Sequence, residues 1–512
     1  MELNTSKKKI VQYCTVFCGT STYEENTEMI VPDQSPDILR IIDGCGSAYI
    51  KDKNARAGKV DISGTIKGAV LYAVEDDCEV RKLTVTMPFA YIIDGNGITQ
   101  DSKILARARL RSLDVRELNP RKVAVQATVE VEVCAYELRE TEICDSVNDG
   151  EKYGVCTRKR SVGMYYPEFI REKSFTISED IELSGNATHM REILFDKADI
   201  CPTDTKVIGN KAILKGNTSI QCVYTMEDGT VESAEYELPF SQIIDIEGMR
   251  DEHDLKAELT VSGTELEVSY DAAGETRYIT VNVMADACIL ACLSENTDII
   301  DDVYSTKYEL ETELSEQEYL SLCENTDKRV AVSETIETGT PIKQVLFVNV
   351  SVMPSVRRRE ENGEVLANDA FITVMYTGED GGVYSAKRKT CVVCPLALRE
   401  SHNYSSNVAV RGKTSSVGAD NEINVRFFAD YDICETEEER VSAVLGINVD
   451  EENKRNAENT ASISVMRLER DTELWELAKK YATTVEEICE ANEISDSRSA
   501  PAGRMILVPK SR

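Results

Sequence analysis

Alternating apolar and polar residues dominate most of the chain. Val or Ala occupies every second position over 123–133, with Ala, Gln, Thr and Glu between them. The same alternation recurs over 279–285 and 425–429. A period of two is typical of antiparallel strands that bury one face and expose the other to water. The pattern therefore predicts a mainly β protein.

The chain also repeats itself at a constant spacing of 152 residues. The matching positions are Ile41-Ile42, Ile193-Leu194 and Val345-Leu346, then Tyr72, Tyr224 and Tyr376. An acidic pair follows each tyrosine, at 75–76, 227–228 and 379–380, and is typical of a hairpin turn. A period this long predicts three tandem domains rather than a solenoid. Each copy is expected to be an antiparallel β-sandwich of about seven strands with one short helix near 35–42, where Pro36 suits a first turn.

These repeats predict β domains at 1–145, 155–297 and 303–435. Residues 436–461 are expected to form an acidic, solvated linker with a helical turn near 440–445, because 435–459 holds eight acidic and three basic residues. A small C-terminal domain at 462–512 completes the chain.

The sequence of the C-terminal domain predicts a strand, two helices and a second strand, in that order. Apolar residues recur at helical spacing from Leu474 to Tyr481, and Asp471 or Thr472 could cap that helix. Thr483 and Glu486 predict a capping box for the second helix. Short strands are expected over 463–467 and 505–508. The predicted core consists of Leu474, Trp475, Leu477 and Ile488.

This domain resembles the LysM family. The resemblance rests on Asp471-Thr472, Leu474-Trp475, the segments 478–481 and 483–488, Asn492 with Ile494, and 503–509. It implies a βααβ, small α+β fold that binds chitin or peptidoglycan glycans. The implied binding edge is Arg470, Asp471, Thr472, Asn492, Glu493, Ile494 and Ser495. The family usually has Gly where Arg470 stands, and Glu473 is an additional residue in the same loop. These differences favour a protein ligand over a glycan.

The repeats resemble SPOCS-type domains of spore-coat-associated proteins, through 31–43 and the segment at 91–95. Tandem SPOCS-type domains followed by a LysM domain resemble spore coat morphogenetic proteins. The resemblance implies a non-enzymatic adaptor in the mother-cell cytoplasm, at the outer surface of the forespore. It also implies that the LysM-like domain docks to the coat basement-layer ATPase, stage IV sporulation protein A, and that the β domains recruit other coat proteins.

The net charge of −33 narrows the choice of partners. Residues 463–512 carry nine acidic and eight basic residues, so nearly all the excess lies on the β domains. Such a surface repels nucleic acid and anionic lipid. No run is long enough for a transmembrane helix, and no secretion signal is visible, so we expect a cytoplasmic protein. The 16 cysteines are scattered through strand-like segments, as reduced, buried residues would be.

Catalytic patterns are weak in this sequence. The three histidines, at 189, 253 and 402, are isolated from any nucleophile, and Cys391 with Cys394 has no second ligand pair. We therefore predict no catalytic residue, no cofactor and no metal site. Two basic clusters contrast with the acidity and could form a docking patch: Arg357, Arg358 and Arg359, then Lys387, Arg388 and Lys389. The simpler interpretation is that they form surface ion pairs.

Two alternatives to the adaptor remain open. A peptidoglycan-binding cell-wall protein, recognising N-acetylglucosamine glycans, would use the LysM-like domain as an anchor and would require export. A wall hydrolase would need a catalytic constellation that the sequence does not offer.

Overall fold

A computed structural model describes residues 1–74, 79–182, 190–270, 276–361, 363–419, 421–455, 462–495 and 498–510. The alternating segments form antiparallel strands, and the mainly β prediction is confirmed. The predicted turn at 75–76 and His189 lie outside the described residues.

The first repeat contains six strands. They are β1 (Thr5–Ile30), β2 (Arg40–Arg56), β3 (Lys59–Ala73), β4 (Val80–Asp94), β5 (Lys103–Asn119) and β6 (Lys122–Val147). One sheet has the order β1-β6-β5 and the other the order β2-β3-β4. The apolar faces of both sheets contribute to one core, in which Val60 and Ile66 of β3 are buried with Val125 and Val129 of β6. The repeat is therefore a β-sandwich of two three-stranded sheets.

The second repeat has the same topology. After a 3₁₀ turn (Gly150–Tyr153) come β7 (Val155–Glu182), β8 (Met190–Ile208), β9 (Lys211–Met226), β10 (Val231–Asp245), β11 (Asp254–Tyr270) and β12 (Thr276–Ser305). The sheet orders are β11-β12-β7 and β10-β9-β8. The first strand of the repeat again pairs with the last.

The third repeat adds one short edge strand to this plan. It contains β13 (Tyr308–Glu337), β14 (Ile342–Val352), β15 (Val356–Glu360), β16 (Gly363–Gly378), β17 (Val383–Leu398), β18 (His402–Val417) and β19 (Glu422–Lys454). The sheet orders are β13-β19-β18 and β14-β16-β15, with β17 also paired to β16.

Two sequence expectations for the repeats are wrong. The helix near 35–42 is absent from this fully described segment, where an irregular loop leads into β2. Ile38 of that loop is buried in the sandwich core, and its N–H donates to the Pro120 carbonyl. The linker predicted from 436 is strand up to Lys454, since β19 continues there paired with β13. No helical turn forms at 440–445, and 456–461 lies outside the described residues.

The ends of the long strands extend beyond the sandwiches and pack together. Ile143 of β6, Leu293 of β12 and Val441 of β19 are buried in one cluster that draws on all three repeats. Lys8 of β1 forms an ion pair with Glu295 of β12 at 3.2 Å, and Arg160 of β7 pairs with Glu439 of β19. We call the packed ends of these long strands the hub. Residues 436–454, which were predicted as a linker, belong to it.

A second apolar cluster joins the three sandwiches. Leu71, Val223 and Met375 are each fully buried, and each is 152 residues from the next. We call this cluster, with its neighbours Ile42, Leu194 and Leu346, the axial cluster. Equivalent residues meeting at one place give the repeats an approximate threefold arrangement. The repeats thus pack against one another rather than lying apart along the chain.

The strands also contain a cysteine pair that the sequence did not indicate. Cys18 of β1 and Cys134 of β6 face each other in the ladder and form a disulfide bond. The expectation of uniformly reduced cysteines is therefore wrong for this pair. Thirteen further cysteines in the described residues form no disulfide bond.

The C-terminal domain has the predicted order of elements. It contains β20 (Ile463–Arg467), β21 (Thr472–Glu473), α1 (Leu474–Tyr481), α2 (Val485–Asn492), β22 (Ser499–Ala500) and β23 (Met505–Pro509). β20 pairs with β23, and β21 with β22. Both helices pack on the buried side chains of Ile506 and Val508.

Candidate functional site on the C-terminal domain

The N-caps of both helices in the C-terminal domain lie one or two residues after the predicted caps. α1 starts after Glu473 rather than Asp471 or Thr472. α2 has a capping box, but it consists of Thr484 and Glu487. Thr483 is fully buried, and its hydroxyl donates to Glu487 Oε2 at 2.7 Å. Thr483 therefore precedes the box instead of forming it.

Three of the four predicted core residues lie inside the domain. Leu474, Leu477 and Ile488 are buried with Ile506 and Val508. Trp475 is only half-buried and lies at the contact between α1 and the second repeat. Its ring meets that of Tyr304 edge to face, with centroids 4.8 Å apart. The lone tryptophan therefore belongs to an interface between domains.

Asp302 at the end of β12 holds this interface together. Trp475 Nε1 donates to Asp302 Oδ2 at 2.8 Å, and Lys479 Nζ lies 2.7 Å from Oδ1. Trp475 and Lys479 are four residues apart, so both point from the same face of α1. The hydroxyl of Tyr304 donates to the Thr483 carbonyl at 2.8 Å in a buried position.

Arg158 of β7 adds a second charged contact. Its Nε donates to Asp301 at 2.9 Å, and its Nη1 lies 3.5 Å from Glu473 and 3.8 Å from Glu476. No pattern in the sequence indicated Asp302, Tyr304 or Arg158 as partners of the domain. The one signal was Trp475 itself, because a buried Trp side chain usually needs a hydrogen-bond acceptor for its ring N–H. That requirement does not identify which residue is the acceptor.

The Asp302 carboxylate makes the interface sensitive to acid. Burial alone would raise the pKa of Asp302, but hydrogen bonds from Lys479 and Trp475 outweigh burial and lower that pKa below its ordinary value. A lowered pKa in the folded state means that the carboxylate stabilises the interface above the ordinary value of about 3.9. This contribution is lost as the pH falls through the folded-state pKa.

Trp475 is the only tryptophan, so its fluorescence reports on this interface. We expect its emission to shift to the red as the pH falls below about 4, and Asp302→Asn to show the shift already at neutral pH. Asp298→Asn, an exposed site on the same strand, is the matched control and should behave like the wild type. Identical emission from Asp302→Asn and wild type would contradict this assignment.

The first half of the predicted binding edge is an exposed loop. The Asp471 carboxylate accepts a hydrogen bond from the Ala502 N–H at 2.8 Å, and the Thr472 hydroxyl donates to the Arg470 carbonyl at 2.8 Å. Arg470 and Asp471 are exposed, while Thr472 is half-buried in its pairing with Ala500.

In the second half of the edge, the Asn492 side chain has a structural role. Asn492 donates to the carbonyl of Ile488 and to that of Leu507, and its Oδ1 accepts from the Leu507 N–H at 2.7 Å. These bonds tie α2 to β23, so the Asn492 side chain is occupied. Beyond it, Glu493 and Ser495 are exposed, and Ile494 packs on the domain core.

One turn connects the two halves of the edge. Its residue Ala502 contacts Asp471, and Arg504 donates to the Asn492 carbonyl at 3.0 Å. The structure therefore places both halves beside the 501–504 turn, with Arg470, Asp471 and Glu493 exposed and bearing both signs of charge.

The two basic clusters of the third repeat are apart from each other. Arg357 in β15 lies opposite Leu366, whereas Lys387 in β17 lies opposite Thr373 of the same strand β16, roughly 23 Å along it. Most of these cations have internal partners. Lys387 pairs with Asp43 at 2.7 Å, Arg388 with Glu334, Lys389 with Asp369 and Arg357 with Glu364, while Arg358 contacts Cys391 and Arg359 is exposed. This geometry favours ion pairs over one docking patch.

Comparison with protein families agrees with this architecture. The family model described as SipL, SPOCS domain matches residues 37–118 and 189–269. The LysM domain model matches residues 471–509. No curated protein and no solved structure matches the chain. The chain carries SipL-type SPOCS domains followed by a C-terminal LysM domain, and these domain matches indicate a sporulation-related protein with a peptidoglycan-binding type of domain.

The SPOCS matches cover the second to the fifth strand of two repeats. They span β2 to β5 of the first repeat and β8 to β11 of the second. The third repeat is not matched, yet its strands pair in the same order. Among the described residues, no helix is both long and apolar enough to cross a membrane.

Proposed function

We propose that the protein is a non-enzymatic adaptor of spore coat assembly. In this proposal it docks through its LysM domain to the coat basement-layer ATPase, stage IV sporulation protein A, at the forespore surface in the mother cell. The observation that carries the proposal is that the LysM domain is held in one position against the second repeat, an arrangement we call its seating. Its α1 face is occupied by Asp302 and Tyr304, while Arg470, Asp471 and Glu493 stay exposed.

The seating supports a docking role because it removes rotational freedom. A domain held by several hydrogen bonds, one of them fully buried, presents its exposed edge in one orientation, and less entropy is lost when a partner binds. The edge carries one cation and two carboxylates, which suits charge complementarity with a protein surface. Glu473, the additional residue of this loop, lies near Arg158 and belongs to the seating rather than to the edge.

The β domains support the part of the proposal that concerns other coat proteins. Three packed sandwiches offer several separate faces, and their excess negative charge favours basic or mixed-charge partners. SPOCS and LysM domains are non-catalytic families, which agrees with an adaptor. Two histidines lie against glutamates, His253 with Glu168 and His402 with Glu435, each at 2.7 Å.

The proposal predicts that reversing charges on the edge weakens ATPase binding. We expect Arg470→Glu combined with Glu493→Lys to reduce the affinity at least tenfold, about 1.4 kcal/mol. Binding of the purified full-length protein to the ATPase, measured by titration calorimetry, provides the test. Glu490→Lys, exposed on α2 outside the edge, is the matched control. Equal affinity of the double variant and the wild type would exclude the edge as the docking site.

The alternative is a peptidoglycan-binding cell-wall protein. The LysM match supports it, and so does the disulfide between Cys18 and Cys134, since such bonds persist in oxidising compartments. Sedimentation of the full-length protein with purified sacculi would favour this alternative. Failure to sediment, together with ATPase binding, would favour the adaptor.

A further inference from the structure

Three potential metal ligands meet in the third repeat, away from the LysM domain. They are the thiol of Cys323, the imidazole of His402 and the carboxylate of Glu437. One donor atom from each residue lies within 4.8 Å of the other two. We call these residues the Cys-His-Glu cluster. Cys323 and Glu437 are exposed, and His402 is buried.

The cluster is assembled by three neighbouring strands of one sheet. Glu437 is on the central strand β19, directly opposite His402, the first residue of β18. On the other side, Leu322 and Glu324 of β13 pair with Thr436 and Glu435, so the register skips Cys323. Cys323 is therefore the extra residue of a β-bulge. A bulge re-aims its side chain, and bulges are frequent beside functional sites.

A second carboxylate lies against the histidine ring. His402 Nδ1 lies 2.7 Å from Glu435 Oε1, and Nε2 lies 4.0 Å from Glu437 Oε2. The approach of Nδ1 is too oblique for a well-formed hydrogen bond, so a small ring rotation would be needed to align it. Glu435 is itself nine-tenths buried and accepts a hydrogen bond from Tyr404 at 2.8 Å. A carboxylate behind a ligating imidazole is the usual outer partner at metal sites, because it fixes the ring and its tautomer.

We propose that the Cys-His-Glu cluster binds a divalent transition metal of the zinc class. Thiolate, imidazole and carboxylate are the ligands that Zn²⁺ uses, whereas Mg²⁺ and Ca²⁺ prefer oxygen alone. Three protein ligands leave the fourth tetrahedral position to water or to a partner's side chain. In tetrahedral zinc the ligand atoms lie roughly 3.3–3.8 Å apart. The donors must therefore close by about 1 Å, which rotamer changes of exposed Cys323 and Glu437 can provide.

The cluster escapes sequence analysis because its members are far apart along the chain. The short-spaced pair that did attract notice, Cys391 and Cys394, lies three residues apart on β17. Its members differ in burial, Cys391 being exposed and Cys394 buried. Alternation along a strand sends such a pair to opposite faces of the sheet, so they cannot bind one metal together.

Cobalt(II) absorption of the full-length protein tests this site. We expect the chelator-treated wild type to bind one equivalent of Co²⁺ with a thiolate-to-cobalt charge-transfer band and tetrahedral ligand-field bands, which added Zn²⁺ displaces. Cys323→Ser should lose the charge-transfer band, with the far-ultraviolet circular dichroism unchanged. Cys391→Ser, which removes another exposed cysteine of the same repeat, is the matched control and should keep the full spectrum.

A second variant separates the orienting carboxylate from the ligands. Glu435→Gln should keep the charge-transfer band but weaken Co²⁺ binding about 10–100-fold, because the ring is no longer fixed. The proposal is overturned if the wild type gives no thiolate band, if Cys323→Ser keeps it, or if Cys391→Ser loses it equally. Unchanged affinity in Glu435→Gln would remove the orienting role from the proposal.

Discussion

A chain that ends after residue 435 is expected to lose the third repeat and to aggregate. The cut removes the outer part of β19 and leaves Tyr308–Leu322 of β13 without its partner strand. It also removes five buried side chains from the hub, namely Val441, Ala443, Val444, Ile447 and Val449. Apolar side chains of this size contribute about 1.5–3 kcal/mol each when fully buried, and somewhat less for Ala. The loss, roughly 7–13 kcal/mol by this sum, is comparable with the whole stability of a domain.

A chain that ends after residue 455 is the matched control for this truncation. It lacks the LysM domain but keeps β19 whole. We expect it to be free of aggregates in size-exclusion chromatography and to melt cooperatively in calorimetry, although it exposes Asp302 and Tyr304. If the chain ending at 435 were monomeric with the same melting temperature, 436–454 would not be part of the fold.

Substituting Met375 by Lys should separate the three sandwiches. Met375 is fully buried in the axial cluster beside Leu71 and Val223. A lysine there would bury a charge without a partner, at a cost of several kcal/mol, so the repeats are expected to move apart. Small-angle X-ray scattering should show a larger radius of gyration, and the melting temperature should fall by roughly 5–10 °C or more.

The control for this substitution is Glu379→Lys. It introduces the same side chain at an exposed turn of the same repeat and should leave both the scattering and the melting temperature unchanged. A compact Met375→Lys variant of wild-type stability would show that the axial cluster does not hold the repeats together.

The sequence predicted the repeats well because their signals are local and repeated. Alternation with a period of two predicts strands wherever one face is buried, and a spacing of 152 residues predicts the tandem copies. The linker prediction was wrong at 436–454 because it gave more weight to the acidic composition of the segment than to the spacing of its apolar residues. Glu437, Glu438 and Glu439 suggested a solvated segment, yet Val441, Ala443 and Ile447 are buried against the other repeats.

Other errors have a similar physical origin. Pro36 permits a helix start but does not require one, and Ile38 is buried as part of a loop instead. Trp475 was expected inside its own domain because an amphipathic helix shows only that one face is buried. The partner of that face, Asp302 with Tyr304, belongs to another repeat and is defined by the tertiary fold.

The sequence therefore predicts only part of the candidate site. The LysM resemblance indicated the edge at 470–472 and 492–495, but it did not show that Asn492 is occupied in tying α2 to β23. The basic residues at 357–359 and 387–389 were conspicuous by charge, and the structure gives most of them internal acidic partners. Charge clusters indicate a docking surface only when their counter-charges lie outside the chain.

The most direct test of the adaptor is the affinity of the full-length protein and of the chain ending at 455 for purified stage IV sporulation protein A. Titration calorimetry of both proteins at one salt concentration gives the two dissociation constants. The adaptor hypothesis predicts specific binding by the full-length protein and a loss of at least tenfold when the LysM domain is removed. Equal affinity of the two proteins would contradict docking through the LysM domain, and no binding by either would contradict the proposed partner.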